Sequence, residues 1–410
     1  MTRPLEGIRV LDLTVALSGP YGSLLLGGMG AEVIRVEAPG GSDLARTNPP
    51  FVGAEGIHFG AQRDGDVSLT NLNRGRNKKS ITLDLKQPEG RALLLRLARE
   101  CDVLIENMSE GTTAKLGVDY ECVRAANPKI VYASIKAFGE PSPMPHLKGM
   151  DIIVQALSGI MEVTGERDGP PTRWGLPIAD MVAPLYAVNG ILGALIHRGR
   201  TGEGQQVMVS MLDCLASLLA EEHFDTMAGA GLPLRSGNFH DRLAPFGVYP
   251  ASDGHVAIVA FSPDWFASLL DVLGRPELAE DPRYASRGAR MQHAGDINAL
   301  IAAWTCQRSA DAVVRELLVE RAVPCARVRT PREVLADPVL LQSGAVVRLA
   351  HPRLGDTEAT GMGLPIRFSR TPSQFDQPAA DLGSSNDEVY RTLLGLADDE
   401  IARLQAARTI

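Results

Sequence analysis

Apolar runs and amphipathic stretches alternate along the first third of the chain. Gly7–Leu13 is apolar and rich in β-branched residues, which predicts a strand buried on both faces, and Ala31–Glu37 predicts a second strand. Between them, Pro20 lies where a helix start tolerates proline, and a helix is expected to about Gly28. The alternation continues over Pro88–Glu100, Val103–Glu106, Tyr120–Ala126 and Ile130–Ile135. Such βαβ alternation predicts an α/β fold with a parallel sheet covered by helices.

The second half of the chain has a different pattern. Two long helices are expected first, over Asp180–His197 and from Val207 to about Phe224. From about residue 235, short strands adjoin helices, which indicates a smaller α+β domain. Pro331–Pro338 has the pattern of a hinge helix, and a last amphipathic helix is predicted near Asp387–Leu404.

The composition is that of a soluble globular protein. Of the 410 residues, 45% are apolar and 22% are charged, which excludes a disordered or fibrous chain. The formal net charge of −8 argues against nucleic acid as a partner, because binding a phosphate backbone needs a basic surface. Any anionic ligand must instead be held by a local cluster of positive groups.

Cysteine usage and the longest apolar run bear on the compartment. The five cysteines form no C-x-x-C pair, which predicts reduced thiols in a cytoplasmic protein. The N-terminus has no apolar signal core. Because the run Ile178–Ile196 contains Asp180 and Asn189, it is interpreted as a buried core helix, and no membrane partner is expected. The eight histidines lack metal-ligand spacing, so no metal is expected either.

The first predicted strand-to-helix turn is the clearest candidate for a ligand loop. Ser18–Gly22 resembles a dinucleotide-binding turn, but its spacing is G-x-x-G rather than G-x-G-x-x-G. Glycines that only allow a tight turn are the favoured interpretation. A helix N-terminus at the carboxyl edge of a parallel sheet is nevertheless a place where anions bind.

Asp180 begins a long, almost wholly apolar helix. Residue preference alone favours a helix N-cap. The functional alternative is a carboxylate nucleophile, kept ionised by the helix dipole in a dry site. Asp151 opens another apolar segment and is also an N-cap candidate, with a role as a second carboxylate left open.

Positive charge is concentrated in Asn73–Ser80, where four of eight residues are cationic. A solvated charge run is the ordinary interpretation of such a segment. Further lysines near predicted sheet edges are Lys86, Lys115, Lys136 and Lys148. A polyanionic ligand of this acidic protein requires Arg74–Lys79 and these lysines to gather on one face.

Several stretches, in order and at matching spacing, resemble the family III CoA-transferases. They are Pro4–Thr14 followed by Ser18–Pro20, Gly30–Glu37, Asn77–Ile81 with Leu83–Lys86, Val103–Asn107, Gly202–Gln205 and Pro331–Pro338. The resemblance implies a Rossmann-like large domain, with a parallel sheet made from both chain ends, plus a smaller central α+β domain. The corresponding boundaries are 1–220 with 331–410, and 221–330. It also implies an interlocked homodimer.

The resemblance assigns roles to particular positions. Coenzyme A is the implied ligand, as part of an acyl-CoA substrate, and Asp180 matches the catalytic aspartate of the family. The implied coenzyme A contacts are Leu17, Ser18, Leu83, Lys86, Asn107, Met108, Lys115 and Lys148.

Two departures from the family pattern restrict the chemistry. Gly149–Asp151 is similar to the Gly-His-Asp segment of acyl-CoA racemases. Met150 stands in place of the histidine, and methionine cannot transfer a proton. The glycine-run loop of formyl-CoA transferases is absent from Gly237–Tyr249, which disfavours oxalate as acceptor. A basic position after Glu37 is also replaced, by Ala38.

The leading hypothesis is therefore transfer of CoA from an acyl-CoA to a free carboxylic acid through aspartyl anhydride and aspartyl-CoA intermediates. Acyl-CoA racemisation, an NAD-type dehydrogenase and a non-catalytic acyl-CoA binder are the alternatives. Arg173 and Arg235 lie in predicted loops, where either could contact the distal carboxylate of a dicarboxylic acid; an ordinary surface arginine is the favoured interpretation of both.

Overall fold

A computed structural model describes residues 2–145, 147–240 and 242–410. The chain divides into two compact units, one formed by residues 1–158, 175–218 and 335–410 and the other by residues 159–174 and 219–334. The boundaries predicted from the sequence, 1–220 with 331–410 and 221–330, stay a prediction about separate domains.

The strands in chain order are β1 (Arg9–Asp12), β2 (Glu32–Glu37), β3 (Phe51–Gly53), β4 (Gly56–His58), β5 (Val67–Ser68), β6 (Lys78–Thr82), β7 (Val103–Glu106), β8 (Val131–Lys136), β9 (Gln206–Ser210), β10 (Phe246–Ala251), β11 (Gly254–Val259), β12 (Cys325–Arg327), β13 (Val346–His351) and β14 (Gly355–Met362).

The helices are α1 (Ser18–Gly28), α2 (Leu44–Thr47), α3 (Leu69–Arg74), α4 (Pro88–Arg99), α5 (Thr112–Leu116), α6 (Tyr120–Ala126), α7 (Asp151–Leu157), α8 (Ile178–Thr201), α9 (Met211–Glu221), α10 (Phe224–Gly229), α11 (Pro263–Val272), α12 (Arg287–Gln292), α13 (Ala294–Thr305), α14 (Ala310–Val314), α15 (Pro331–Leu335), α16 (Pro338–Gln342), α17 (Asn386–Leu394) and α18 (Asp398–Ala406). A 3₁₀ turn covers Pro276–Ala279 and a π turn covers Arg315–Val319.

The larger unit contains a six-stranded parallel sheet in the order β6-β2-β1-β7-β8-β9. Counted within the sheet alone, this is the strand order 3-2-1-4-5-6 of a dinucleotide-binding fold. The order reverses between β1 and β7, and in such sheets ligands bind beyond the carboxyl ends of the strands at this switch point. The predicted α/β fold with a parallel sheet is confirmed.

One part of that prediction is wrong, because the sheet is not made from both chain ends. All six of its strands lie between residues 9 and 210. The C-terminal segment instead supplies α17 and α18, whose apolar faces pack onto the same core as β1 and α4. Their amphipathic pattern suits helices that cover a sheet, not strands buried within one.

Hydrogen bonds fix the C-terminal segment to the carboxyl end of β6. The Asn386 amide donates to Thr82 Oγ1 at 2.7 Å and accepts from its N–H at 2.8 Å. The Tyr390 hydroxyl donates to the Thr82 carbonyl at 2.8 Å. The Asp84 N–H donates to the Thr409 carbonyl at 2.8 Å, so the tail is held where the chain leaves the sheet.

The predicted helix from Val207 to about Phe224 is only partly correct. Residues 206–210 form the edge strand β9, which pairs with β8, and the helix begins at Met211. Leu212 N–H donates to the carbonyl of Ala137 at 3.0 Å, directly after β8. Pairing with β8 therefore draws a segment of mixed pattern into the sheet.

The smaller unit contains the antiparallel sheet β10-β11-β12. Its core combines Tyr249 and Ile258 from the strands with Phe266, Leu269 and Ile301 from α11 and α13. The α+β character expected from residue 235 onward is confirmed in this part of the chain.

Candidate active site

The turn after β1 is built around a buried ion pair. The carboxylate of Asp12 is fully buried, and its Oδ2 lies 3.1 Å from Lys78 Nζ, whose ammonium also donates to Ser23 Oγ at 2.7 Å. Burial alone would raise the pKa of Asp12, but Lys78 and the hydrogen bonds from Ser23 and Thr14 hold that pKa below its usual value. Gly19 leaves no room for a side chain, because a Cβ there would overlap Thr14.

Hydrogen bonds position the loop between β1 and α1. Ala16 has a positive φ of 64°, its N–H donates to Asp43 Oδ1 at 3.0 Å, and its carbonyl accepts from Arg74 Nη1 at 2.6 Å. Val15 and Asn107 exchange two hydrogen bonds of 2.9 Å, which tie this loop to the end of β7. The backbone of the loop is therefore held from three sides.

Helix α1 begins with unpaired polar groups. Leu17, the residue before the helix, supplies no side-chain cap, and Pro20 has no N–H. The hydroxyl of Ser18 is buried and has no hydrogen-bond partner among the described residues. The first N–H groups of such a helix are directed outward and favour an anion or an oxyanion.

The N-terminus of α8 is capped by a residue from another helix. Asp151 Oδ1 accepts from the N–H of Ala179 at 2.8 Å and from that of Asp180 at 3.2 Å. Gln155 Nε2 donates to Asp151 Oδ2 at 2.6 Å, which orients the capping carboxylate. Asp151 thus begins α7 and at the same time caps α8, while the side chain of Asp180 is free of that task.

Asp180 is a half-buried carboxylate without a hydrogen-bond partner for its side chain among residues 2–145, 147–240 and 242–410. Burial, followed by the nearby charge of Asp151, raises its pKa to about 6, and the guanidinium of Arg74 opposes this shift. Pro184 lacks the N–H that would bond to the Asp180 carbonyl within the helix. Perturbed carboxylates of this kind are concentrated at functional sites.

Helices α1 and α8 bring their N-termini together. Both begin at the carboxyl edge of the sheet, and a Cβ on Gly22 would lie 3.3 Å from the Cβ of Pro184. Gly22 is four residues after Ser18, and Pro184 is four residues after Asp180. The unpaired start of α1 and the carboxylate of Asp180 are therefore neighbours at one edge of the sheet.

A cavity of about 330 Å³ opens beside the same loop, beyond the ends of β1, β2, β6 and β7. Among the positions implied by the family resemblance, Leu83, Lys86 and Met108 line it. Asn107 and Leu17 adjoin lining residues, and Lys115 precedes the lining residue Leu116. Its walls are mainly apolar, which suits a flat heterocycle, and Lys86 and Lys115 are exposed nearby.

Lys148 lies elsewhere on the carboxyl edge. It is exposed, and the next residue, Gly149, packs against Ala137 directly after β8. The structure therefore places Lys148 beyond the end of β8, whereas the cavity lies beyond β1, β2, β6 and β7.

The basic segment Arg74–Lys79 does not gather on one face. Arg76 donates to Asn73 and, from Nη2, to the Met362 carbonyl. Lys78 is buried against Asp12, and Lys79 pairs with Glu32 and Glu388, each at 2.7 Å. The expected common face is wrong for these three cations.

Lys136 is also taken by protein groups, since its ammonium lies 2.9 Å from a carboxylate oxygen of Glu106. Of the basic segment, Arg74 alone reaches the loop before α1. The sequence of Arg74–Lys79 has the pattern of a solvent-exposed charged segment, and it does not distinguish the role of Arg74 from that of the other cations.

A second cavity, of about 630 Å³, lies beside the amino end of β2. Its charged groups are already paired, Arg3 with Asp376 and Lys79 with Glu32. It contains no part of the loop before α1, whereas Thr14, Val15 and Ala16 of that loop line the smaller cavity, to which we assign the site.

Helix α8 is long and apolar enough to cross a membrane by length and composition alone. In the structure its Gly190 lies against Val207 of β9. Among the described residues, no group of three or more His, Cys, Asp or Glu side chains could hold a metal ion.

Known proteins similar to this chain show its family. A family model described as CoA-transferase family III matches residues 5–386. The chain is 38% identical to a succinate–glutarate CoA-transferase of Agrobacterium fabrum, over 95% of this chain and 96% of that protein. It is 36% identical to a succinyl-CoA–D-citramalate CoA-transferase of Chloroflexus aurantiacus, over 100% and 98%. A CAIB/BAIF family protein from Brucella suis superposes with a TM-score of 0.83 at 34% identity, covering 96% of this chain and 100% of that one.

Proposed function

The chain belongs to CoA-transferase family III, and from this premise we propose that it moves coenzyme A from an acyl-CoA to a free carboxylic acid with Asp180 as nucleophile. The observation that carries the proposal is the half-buried Asp180 carboxylate. It lies at a helix N-terminus, its side chain has no hydrogen-bond partner among the described residues, and its pKa is raised to about 6.

The proposed reaction exchanges acyl bonds of similar energy. Asp180 attacks the thioester carbonyl, the carbon–sulfur bond breaks, and CoA leaves as a thiolate from an aspartyl anhydride. The thiolate then attacks the Asp180 carbonyl, which releases the donor acid and leaves an aspartyl-CoA thioester. The acceptor carboxylate reverses both steps and regenerates Asp180. Covalent catalysis divides one difficult exchange into easier steps, and no external energy source is needed.

The environment of Asp180 supports this role. With a pKa of about 6 the carboxylate is ionised at neutral pH, yet it is more basic and less solvated than an ordinary aspartate. Each tetrahedral intermediate develops an oxyanion, and the outward N–H groups of Ser18 and Gly19 at the start of α1 are candidate donors to it.

Coenzyme A is assigned to the 330 Å³ cavity because of its apolar walls and the exposed lysines at and beside it. Apolar walls that include Leu83 and Met108 suit the adenine ring. Lys86 and Lys115 have no ion pair with a described residue and are exposed, so they remain available to phosphates, while Lys148, also exposed and without such a pair, lies beyond β8 and outside this cavity. Because Arg76, Lys78 and Lys79 are paired within the protein, we assign no coenzyme contact to them.

Two further parts of the proposal concern assembly and compartment. Large apolar side chains are exposed on α7, α8 and α9, among them Ile152, Leu157, Leu185, Ile196 and Leu218. Burying such side chains against a second copy is favourable, which supports a homodimer. Together with the reduced thiols expected from the sequence, we propose a homodimeric cytoplasmic enzyme, and light scattering in solution tests the dimer.

Substitution of Asp180 tests the assignment. Asp180→Asn should abolish CoA transfer while leaving the Kd for coenzyme A within a few-fold of its original value. Retained turnover would reject Asp180 as the nucleophile. The racemase alternative is checked with an acyl-CoA in heavy water without acceptor acid. Because Met150 cannot transfer a proton, we expect no deuterium at the α-carbon.

A further inference from the structure

Arg74 is a cation beside the nucleophile that has no ion pair. It ends α3, and the one side-chain hydrogen bond that it makes to a described residue runs from Nη1 to the Ala16 carbonyl at 2.6 Å. No carboxylate oxygen of a described residue lies within 4.0 Å of its guanidinium nitrogens. Burial lowers the pKa of Arg74 below its usual value, although a guanidinium stays charged in proteins. A half-buried charge in this condition needs an anion from elsewhere.

Asp43, whose carboxylate bonds the N–H of Ala16, is already paired with another arginine. Asp43 Oδ2 is bound by Arg35 Nη2 at 2.6 Å, and Asp43 Oδ1 accepts the N–H groups of Ala16 and Ala45 at 3.0 and 2.9 Å. All its contacts are directed to Arg35 and to the backbone. The charges that raise the pKa of Arg74 are those of Asp180 and, after it, Asp43, and Arg74 in turn lowers the pKa of Asp180.

The proposed reaction removes the negative charge of Asp180. Once Asp180 forms an anhydride or a thioester, its carboxylate charge is gone. In the anhydride the reacting carboxyl group of the substrate is neutral as well. Of the two carboxylates that act on it, the guanidinium of Arg74 then keeps only Asp43, which is already paired with Arg35, unless the acyl group carries a second carboxylate. The distal carboxylate of a dicarboxylic substrate supplies such a charge whenever the substrate is bound, in the anhydride included.

We propose that Arg74 binds the distal carboxylate of a dicarboxylic acyl group and thereby makes the enzyme selective for dicarboxylic acids. This inference rests on the proposed function. The Nη2 and Nε groups of Arg74 have no bond to a described residue, and this edge of a guanidinium accommodates a carboxylate through two parallel hydrogen bonds. The bond to Ala16 fixes the side chain in the loop that precedes α1, next to the start of α8.

The two arginines considered from the sequence have other contacts. Arg235 Nη1 lies 2.6 Å from Glu162 Oε1 and also donates to the Glu162 carbonyl, so its charge is compensated. Arg173 donates to the carbonyl of Trp174 and is exposed. Neither offers an uncompensated buried charge, and Arg74 does.

The test compares two donors that differ in charge and little in length, succinyl-CoA and butyryl-CoA. For each donor, kcat/KM is measured at pH 8 with one common acceptor acid, using the full-length protein. At pH 8 Asp180 is ionised with or without Arg74, so a change in its pKa does not enter. The variants are Arg74→Gln, Arg74→Lys and, as a matched surface control, Arg124→Gln. Arg124 is exposed on α6 and pairs with Glu121 at 3.5 Å.

For Arg74→Gln we expect kcat/KM with succinyl-CoA to fall about 10- to 100-fold, the range of one charge-assisted hydrogen-bonded contact. The value with butyryl-CoA should change less than about threefold, and Arg74→Lys should recover part of the succinyl-CoA activity because the charge returns. Arg124→Gln should change neither value. Circular dichroism of each variant verifies that the fold is retained.

Three outcomes overturn the inference. Equal losses with both donors mean that Arg74 acts on the reacting group, and an unchanged succinyl-to-butyryl ratio in an active variant means that it binds no distal carboxylate. A wild-type enzyme that transfers from butyryl-CoA as well as from succinyl-CoA has no such selectivity. By contrast, a wild-type enzyme that transfers CoA from no donor rejects the proposed function itself.

Discussion

Replacing Asp180 with asparagine should make the protein more stable while it abolishes activity. The half-buried carboxylate is ionised at neutral pH although its surroundings, first through burial and then through Asp151, favour the protonated form. The gap between its pKa of about 6 and the ordinary value of 3.8 corresponds to about 3 kcal/mol at about 1.4 kcal/mol per pH unit. Solvent reaches part of the side chain, so we expect Asp180→Asn to raise the free energy of unfolding by about 1–3 kcal/mol at pH 8.

The sign of the pH dependence follows from the raised pKa of Asp180. The native state holds this proton more tightly than the unfolded state does. The stability that the protonated carboxyl contributes is therefore complete below about pH 4 and is lost as the pH rises through about 6. The advantage of Asp180→Asn should fall to about half its pH 8 value at pH 5, because the native carboxyl is then mostly protonated while that of the unfolded chain is still ionised.

Urea denaturation at pH 8, 7, 6 and 5, followed by circular dichroism, measures this difference. Asp264→Asn is the matched control, because Asp264 also lies in the first turn of a helix, α11, and is exposed. Loss of an exposed first-turn carboxylate should destabilise by about 0.3–1 kcal/mol. The reasoning would be refuted if Asp180→Asn were less stable than the wild-type protein at pH 8, or if the difference in their free energies of unfolding were the same at every pH.

Three further predictions concern rate, stability and binding. The kcat/KM for the acyl-CoA should decline tenfold per pH unit below about pH 6, the pKa of Asp180. Asp151→Asn should shift this decline to lower pH, because it removes a negative charge near the nucleophile. A decline that begins only near pH 4 in the wild-type enzyme would contradict the raised pKa of Asp180. Lys78→Met should destabilise by about 3–5 kcal/mol because its buried carboxylate partner is left alone, whereas Lys79→Met should cost less than about 1 kcal/mol, both measured by denaturation. Met108→Trp should fill part of the 330 Å³ cavity and raise the Kd for coenzyme A at least tenfold in calorimetry, with an unchanged Kd placing the coenzyme elsewhere.

Most strands of the parallel sheet can be predicted from the sequence because local patterns determine them. The strands β1, β2, β7 and β8 are short apolar runs, and each is followed by turn residues or by a capped helix. The edge strand β9 cannot be predicted in this way, because Val207 and its neighbours continue without a break into the apolar helix α9. Only pairing with β8, a contact distant in sequence, decides between strand and helix there.

The site was only partly accessible, for a related reason. Asp180 was found through a family resemblance, since its residue preference alone favours a cap. The cap is Asp151, which reaches α8 from α7 across 28 residues. The basic segment looked like one surface, yet Lys78 is buried and Arg74 is directed to the loop before α1. Side-chain alternation along β6 and long-range packing determine those directions, and spacing does not encode them.

The nucleophilic role of Asp180 is tested most directly by following oxygen. In the proposed cycle, the acceptor acid leaves one of its carboxylate oxygens on Asp180, and the donor acid of the next cycle removes it. We therefore predict that turnover with an ¹⁸O-labelled acceptor acid places ¹⁸O on the peptide that contains Asp180, a mass increase visible in the digested protein. Turnover that leaves this peptide unlabelled, with ¹⁸O passing between the acids alone, would contradict the account.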